Sequence, residues 1–272
     1  MSIIVTLFAG SLVGFSLGLT GGGGAIFAVP LLVYLVGVPA REAVGVSLLT
    51  VGITSLIGFL YRAKQGKVEF LTGIVFALAG ILGAPIGSMI ADRIPEGILI
   101  SLFAILMISI AFRMAWKTKP TVANLPILHD HDDDRGATCK RDPEGKLRMT
   151  SPCAMLLGVV GLSAGFLTGM FGVGGGFIIV PALVTFAGMG MQRAVGTSLL
   201  VITLVSISGV VSQILGGRTL SIETTSLFSI GSLLGLFAGT ALATRLAGPA
   251  LQRIFAVAIL LVACFVLYQS LR

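Results

Sequence analysis

Apolar runs of 18 or more residues between charges recur from one end of the chain to the other. Each is long enough to cross about 30 Å of hydrocarbon at roughly 1.5 Å per residue. A helix with one watery face would show polar residues at 3.6-residue spacing. These segments show none and are apolar all round. The expected fold is therefore an all-α polytopic membrane protein. Charged residues make up 11% of the chain, which argues against an ordinary soluble domain and a disordered chain alike. The formal charge of +7 raises the question of nucleic acid, but Lys and Arg fall almost entirely between the spans, where they report topology. Run 3–19 lacks a basic leader and has a counterpart later in the chain, so it is read as part of the fold and not as a signal peptide.

The second constraint is duplication. Residues 10–58 laid over 161–209, an offset of 151, agree at about twenty of 49 positions. Gly14, Phe15 and Gly18 meet Gly165, Phe166 and Gly169, and Gly21, Gly23 and Gly24 meet Gly172, Gly174 and Gly175. Val29-Pro30 meets Val180-Pro181, and Ala43-Val44-Gly45-x-Ser47-Leu48-Leu49 meets Ala194-Val195-Gly196-x-Ser198-Leu199-Leu200. With one residue inserted, Gly83, Gly87 and Arg93 meet Gly235, Gly239 and Arg245. Each half reads as five helical elements, at 3–19, 25–37, 43–60, 70–91 and 98–116, then 153–170, 177–188, 194–215, 222–244 and 251–270. This divides the chain into a first membrane repeat (1–116), a polar cytoplasmic linker (117–152) and a second membrane repeat (153–272).

Charge placement sets the orientation. With both termini outside, fourteen of the 18 basic residues are cytoplasmic, and only Arg41, Arg93, Arg218 and Arg272 are outside. Matched residues such as Lys67 and Arg218 then lie on opposite sides, as inverted repeats require. The second element of each half is the weak point: 25–37 is about 20 Å long as a helix, short for a full crossing. If it does not cross, the inversion fails.

The glycine runs of each half carry the functional expectation. Thr20-Gly21-Gly22-Gly23-Gly24 and Phe171-Gly172-Val173-Gly174-Gly175-Gly176 each interrupt an apolar stretch. Unwound backbone in lipid leaves amides unsatisfied, at several kcal/mol each, so a break survives only inside protein or beside a cavity. The helix that follows presents free N–H groups and its positive dipole end. The candidate substrate-binding residues are accordingly Gly21, Gly22, Gly23, Gly24, Gly172, Gly174, Gly175 and Gly176, an uncharged anion site. The rival reading is that glycines serve only close helix packing, and it suits Gly10, Gly14 and Gly18 best. Ser47 and Ser198 add hydroxyls, with Thr50 and Thr54 on the Ser47 face and Thr197 beside Ser198. Bonding to helix carbonyls is the competing role for these hydroxyls.

Other polar residues are weaker candidates. Arg41 and Arg193 are read as pathway-mouth residues, against plain snorkelling at the interface. Glu69 and Glu223 start the fourth elements and suit helix N-termini. The tract His129-Asp130-His131-Asp132-Asp133-Asp134 has metal-ligand chemistry but no repeat partner, and is read as a solvated acidic stretch. Cys139, Cys153 and Cys264 form no CxxC, so neither zinc nor a disulfide framework is expected. No cofactor or metal is expected.

The doubled glycine break, followed by Val-Pro and Ala-Val-Gly-x-Ser-Leu-Leu, resembles the TauE/SafE family, sulfite-exporter-like proteins of the 4-toluene sulfonate uptake permease group. The resemblance covers nearly the whole chain outside 117–152. It implies a secondary transporter of small sulfur-containing anions in the bacterial plasma membrane. The expected partners are a small anion and the lipid bilayer, with no nucleic acid and with a homodimer left open. A channel or cation transporter, an intramembrane enzyme and a membrane scaffold stand as alternatives. The first would need carboxylates or carbonyls in the membrane interior, and the second His, Asp or Cys pairs within spans.

Overall fold

In hydrocarbon a spanning segment must make its backbone hydrogen bonds within itself, which favours helix wherever an apolar run is long enough. The computed structural model describes residues 3–116, 151–217, 221–243 and 261–262, and helices fill most of them. In the first half α1 spans Ile3–Thr20, and α2 is the short segment Ala28–Pro30 between a 3₁₀ turn (Gly23–Phe27) and a π-helical turn (Leu31–Val36). Then come α3 (Ala40–Lys64), α4 (Phe70–Arg93) and α5 (Glu96–Trp116). The second half holds α6 (Ser151–Phe171), α7 (Gly176–Thr185), α8 (Met191–Leu215) and α9 (Ile222–Ala243). Among the described residues, six helices are long and apolar enough to cross a membrane: α1, α3, α4, α6, α8 and α9. The expected helix 251–270 lies outside the described residues apart from 261–262, as do linker residues 117–150 with the His129–Asp134 tract.

Two boundaries moved for a physical reason. Sequence patterning starts the third elements at Ala43 and Ala194, after the charged dipeptides. The helices instead start at Ala40 and Met191, so Glu42 sits in the first turn of α3 while Arg62 and Lys64 occupy its last. Those charges oppose the helix dipole ends, where they are favoured. The second elements are indeed short, and they differ. Pro181 lies inside the ten-residue helix α7, whereas the backbone around Pro30 passes from 3₁₀ through α to π geometry. Proline removes one amide donor and crowds the preceding turn, which favours such a change of hydrogen-bond register. One expectation is corrected: Cys153, buried in the first turn of α6, is disulfide-bonded. A bridge depends on the separation of two cysteines in space, which sequence spacing does not carry.

The halves are interleaved. The first helix of each half lies along the fourth helix of the other, α1 on α9 and α6 on α4. Gly10, Gly14 and Gly18 lie against the backbone of Phe228, Ser232 and Leu236, and Gly161, Gly165 and Gly169 against Phe76, Gly80 and Ala84. Numbers rise together in both pairs, so the paired helices are parallel. A Cβ at these glycines would run into backbone of the opposing helix. Lipid gives no hydrophobic drive for helix association, so close approach and dense packing hold such pairs. At the centre α3 packs on α8, with 61% and 72% of their apolar windows enclosed against 44% for the other four. Gly209 faces Leu48, Gly52 faces Ser206 and Gly58 faces Leu199. Numbers rise along one helix and fall along the other, so these repeat-related helices cross antiparallel.

Replacing Gly165 by Ala is expected to destabilise the protein by about 2 kcal/mol or more, because the new methyl meets the Gly80 backbone. Gly158→Ala, in open space on the same helix, is expected to stabilise by about 0.5–1 kcal/mol. Thermal unfolding in detergent checks both.

Candidate functional site

Each break begins where a first helix ends. Gly21 N–H donates to the Leu17 carbonyl and Gly172 N–H to the Thr168 carbonyl, both at 2.8 Å, closing the last turn of α1 and α6. The chain then turns through positive φ, at Gly21 (73°) and Gly22 (153°) in one break and at Gly172 (71°), Gly174 (69°) and Gly175 (60°) in the other. Side chains rarely adopt that backbone. The breaks also touch: a Cβ on Gly22 would stand 2.6 Å from Gly176 Cα. Val195 packs on Gly21 and Val44 on Gly172, a repeat-related pair of apolar walls, with Val51 and Ile202 against Gly174.

The two serines tie the breaks to the opposite halves reciprocally. Ser47 Oγ donates to the Gly172 carbonyl at 2.6 Å, and Ser198 Oγ donates to the Gly21 carbonyl at 2.6 Å. Both hydroxyls are fully buried. Each third helix thus satisfies the opened backbone of the other half. Among the described residues, the N–H groups of Val173, Gly174, Gly175 and Gly176 donate to no backbone carbonyl outside the helices, while the Gly175 carbonyl accepts from Ile178 and Ile179. The breaks therefore meet at Gly22 and Gly176 within apolar walls, and the serine contacts at Gly21 and Gly172 lie toward opposite ends of the α3–α8 crossing. Uncharged donors of this kind suit an anion in a low-dielectric site.

Repeat-related contacts differ just beyond it. Thr50 Oγ1 and Ser229 Oγ share a 3.0 Å hydrogen bond, and Thr54 Oγ1 bonds both the Thr50 carbonyl (2.7 Å) and Ser232 Oγ (3.0 Å). The repeat-related residues are Val201, Ala77, Val205 and Gly80, all without side-chain polar atoms. The α3–α9 interface therefore holds four buried hydroxyls where the repeat-related α8–α4 positions are apolar. Ser229 and Ser232 were missed from the sequence. Their i, i+3 spacing on an apolar helix was the available signal. A separate apolar cleft of about 20 Å³, lined by Val29, Pro30, Tyr34, Phe103 and Phe171 among others, has room for about one water molecule.

The remaining candidates do not converge on the centre. Arg41 and Arg193 are exposed in the first turns of α3 and α8, and Arg41 Nη2 donates to the Ile94 carbonyl at 3.3 Å. Glu69 precedes α4 without capping it by a side-chain bond; its Oε1 accepts from Thr72 Oγ1 at 2.8 Å. Its backbone N–H is taken instead by Thr197 Oγ1 of the other half at 3.0 Å. At the repeat-related Ser221 the N–H is held by a different group, Glu42 Oε1, at 3.3 Å. Glu223 is exposed in the first turn of α9.

Six apolar spans closed around two mutually packed backbone breaks define a multi-pass membrane protein with a transporter's architecture. Residues 6–266 match the profile of the family described as sulfite exporter TauE/SafE, and the chain belongs to that family. A probable membrane transporter protein of Xylella fastidiosa strain Temecula1 is 35% identical, over 99% of this chain and 96% of its own. The probable membrane transporter protein YunE of Bacillus subtilis is 26% identical, over 100% of this chain and 99% of its own. A third probable membrane transporter protein, from Methanocaldococcus jannaschii, is 31% identical over 75% of this chain and 70% of its own. No solved structure matches the chain. The family is one of membrane transporters and not of enzymes, and this chain is a membrane transporter.

Removing either serine hydroxyl strands a buried carbonyl, at about 1–3 kcal/mol. Ser47→Ala and Ser198→Ala are each expected to lower unfolding free energy by that amount. Thr20→Ala, whose hydroxyl bonds only its own helix at 2.7 Å, is expected to do less. Midpoints of thermal unfolding in detergent give the comparison.

Proposed function

We propose that the chain is a secondary transporter that exports a small sulfur-containing anion, such as sulfite, a sulfonate or an organosulfur acid, across the bacterial plasma membrane. The observation that carries this reading is the meeting of the two glycine breaks at Gly22 and Gly176 inside the protein, each break tied to the other half by a serine at 2.6 Å. Gly21 to Gly24, Gly172, Gly174 to Gly176, Ser47 and Ser198 form the binding site. Backbone amides and hydroxyls donate to the anion, and glycine lets it approach the backbone. In the described spans carboxylates stand only at helix ends, at Glu42, Asp92, Glu96 and Glu223, which disfavours a cation site in the interior.

The halves 1–116 and 153–272 are inverted repeats in this reading, joined by a cytoplasmic linker at 117–152. The antiparallel crossing of α3 and α8 supports it, as does the charge distribution along the sequence. Alternating access then consists of rocking one half against the other around the breaks. Substrate binding frees Ser47 and Ser198 from the glycine carbonyls and turns them to the anion. No ATP-binding motif is present in the sequence, so a gradient supplies the energy.

Purified protein in proteoliposomes is expected to move sulfite or methanesulfonate and not manganese or nickel ions. Cation uptake without any anion transport would overturn the reading. Gly174→Leu places a side chain at positive φ against Val51, so transport is expected to disappear while the protein stays monodisperse in detergent. Gly97→Ala, in open space, is expected to keep it. Full transport by an intact Gly174→Leu protein would mean that the break is structural.

A further inference from the structure

Arg62 is an enclosed guanidinium without a counter-charge. It lies in the last turn of α3 and is only 7% exposed. Its Nη1 donates to Gln192 Oε1 at 3.3 Å and its Nε has no partner. Among the described residues no carboxylate forms an ion pair with it. Arginine is almost never this enclosed unless paired, and a buried charge with unmet hydrogen bonds is strongly unfavourable. An arginine near a helix end ordinarily snorkels to water. Lys64, two residues on, is exposed; Arg62 is not.

The surroundings of Arg62 favour a negative charge. Because α3 and α8 run antiparallel, Arg62 comes level with the start of α8. There the Arg193 and Ala194 N–H groups are taken by the Gly190 carbonyl at 3.0 Å, which leaves the Met191 and Gln192 N–H groups as the first-turn donors without a backbone acceptor among the described residues. The first amides of that 25-residue helix, and its positive dipole end, face the same junction. The segment before α4 closes it: Gly196 lies against the Lys67 carbonyl, and Thr197 holds Glu69 N–H. Val195, in the next turn of α8, packs directly on Gly21. The junction therefore adjoins the first glycine break. The repeat-related position in the other half holds Gln213, buried but uncharged.

We infer that Arg62, with the N-terminal amides of α8, forms an anion-binding station beside the first break and supplies the positive charge that the glycine–serine contacts lack. The inference rests on the transport reading above and names the residue through which an oxyanion, sulfite-like or sulfonate-like, is drawn toward the breaks. A guanidinium offers a planar pair of donors to such a group, and charge-assisted hydrogen bonds are the strong ones. The station exists in one half only, which gives the route a polarity that the duplicated sequence does not.

Radiolabelled sulfite uptake by proteoliposomes, with sulfite-induced thermal stabilisation of the same preparation, tests this. Arg62→Gln, which copies the residue at the related position, is expected to raise KM for sulfite about tenfold or more and to abolish the stabilisation. Arg62→Lys, which keeps the charge but loses the fork, is expected to fall between. A purely structural role would lower the ligand-free midpoint and leave KM unchanged, and that result would overturn the inference while transport itself stands. If Arg62→Gln does not fold, an unchanged KM in Arg62→Lys overturns it equally. A wild-type protein that moves no anion would overturn the transport reading first, and this inference with it.

Discussion

Lipid offers no hydrogen bonds to an opened backbone, and the arrangement of this protein follows from that fact. Two helices are interrupted inside an apolar chain, so their free carbonyls and amides must be met by protein. The carbonyls of Gly21 and Gly172 are met by serines of the opposite half. Because the halves are related in sequence, satisfying one break in this way satisfies the other by the same contact. The pattern recurs with different groups at the fourth helices, whose first amides at Glu69 and Ser221 are held by Thr197 and Glu42 across the interface. Neither half can keep its break closed alone.

Close packing makes that exchange geometrically available. The glycine ladders of α1 and α6 bring backbone against backbone of α9 and α4, which interleaves the halves. With apolar residues turned to lipid on the outer faces, at Leu78, Leu82 and Phe8 for instance, little but shape and hydrogen bonding is left to choose partners. Symmetry is nevertheless incomplete. Thr50, Thr54, Ser229 and Ser232 make one side of the centre polar, and Arg62 makes one end of it charged. A transporter that carries a substrate between unlike compartments has use for such a difference, since a fully symmetric pathway would present the same affinity to both sides.

Much of this was legible in the sequence. Long uncharged runs mark the spans, and the nearly constant offset of 151 marks the repeat, because both are properties of the chain read in order. Ser47 and Ser198 stood out by recurring beside the glycine motif. Their cross-half acceptors did not, since nothing in a one-dimensional pattern says which half supplies the partner. Ser229 and Ser232 were overlooked for a similar reason: a hydroxyl on an apolar helix is meaningful only when its neighbour is known. In the sequence Arg62 is one more topological charge, because burial is a property of packing. The disulfide of Cys153 was illegible on the same ground.

The central claim is that the two halves face opposite ways, so that their breaks meet head to head. Lys64 and Leu215 are repeat-related residues, both exposed in the last turns of α3 and α8. The direct measurement is labelling of Lys64→Cys and Leu215→Cys variants in intact cells with a membrane-impermeant maleimide, against the unmodified protein as background. The account predicts labelling at position 215 from outside and at position 64 only after the membrane is opened. Equal labelling of both positions from one side would contradict it.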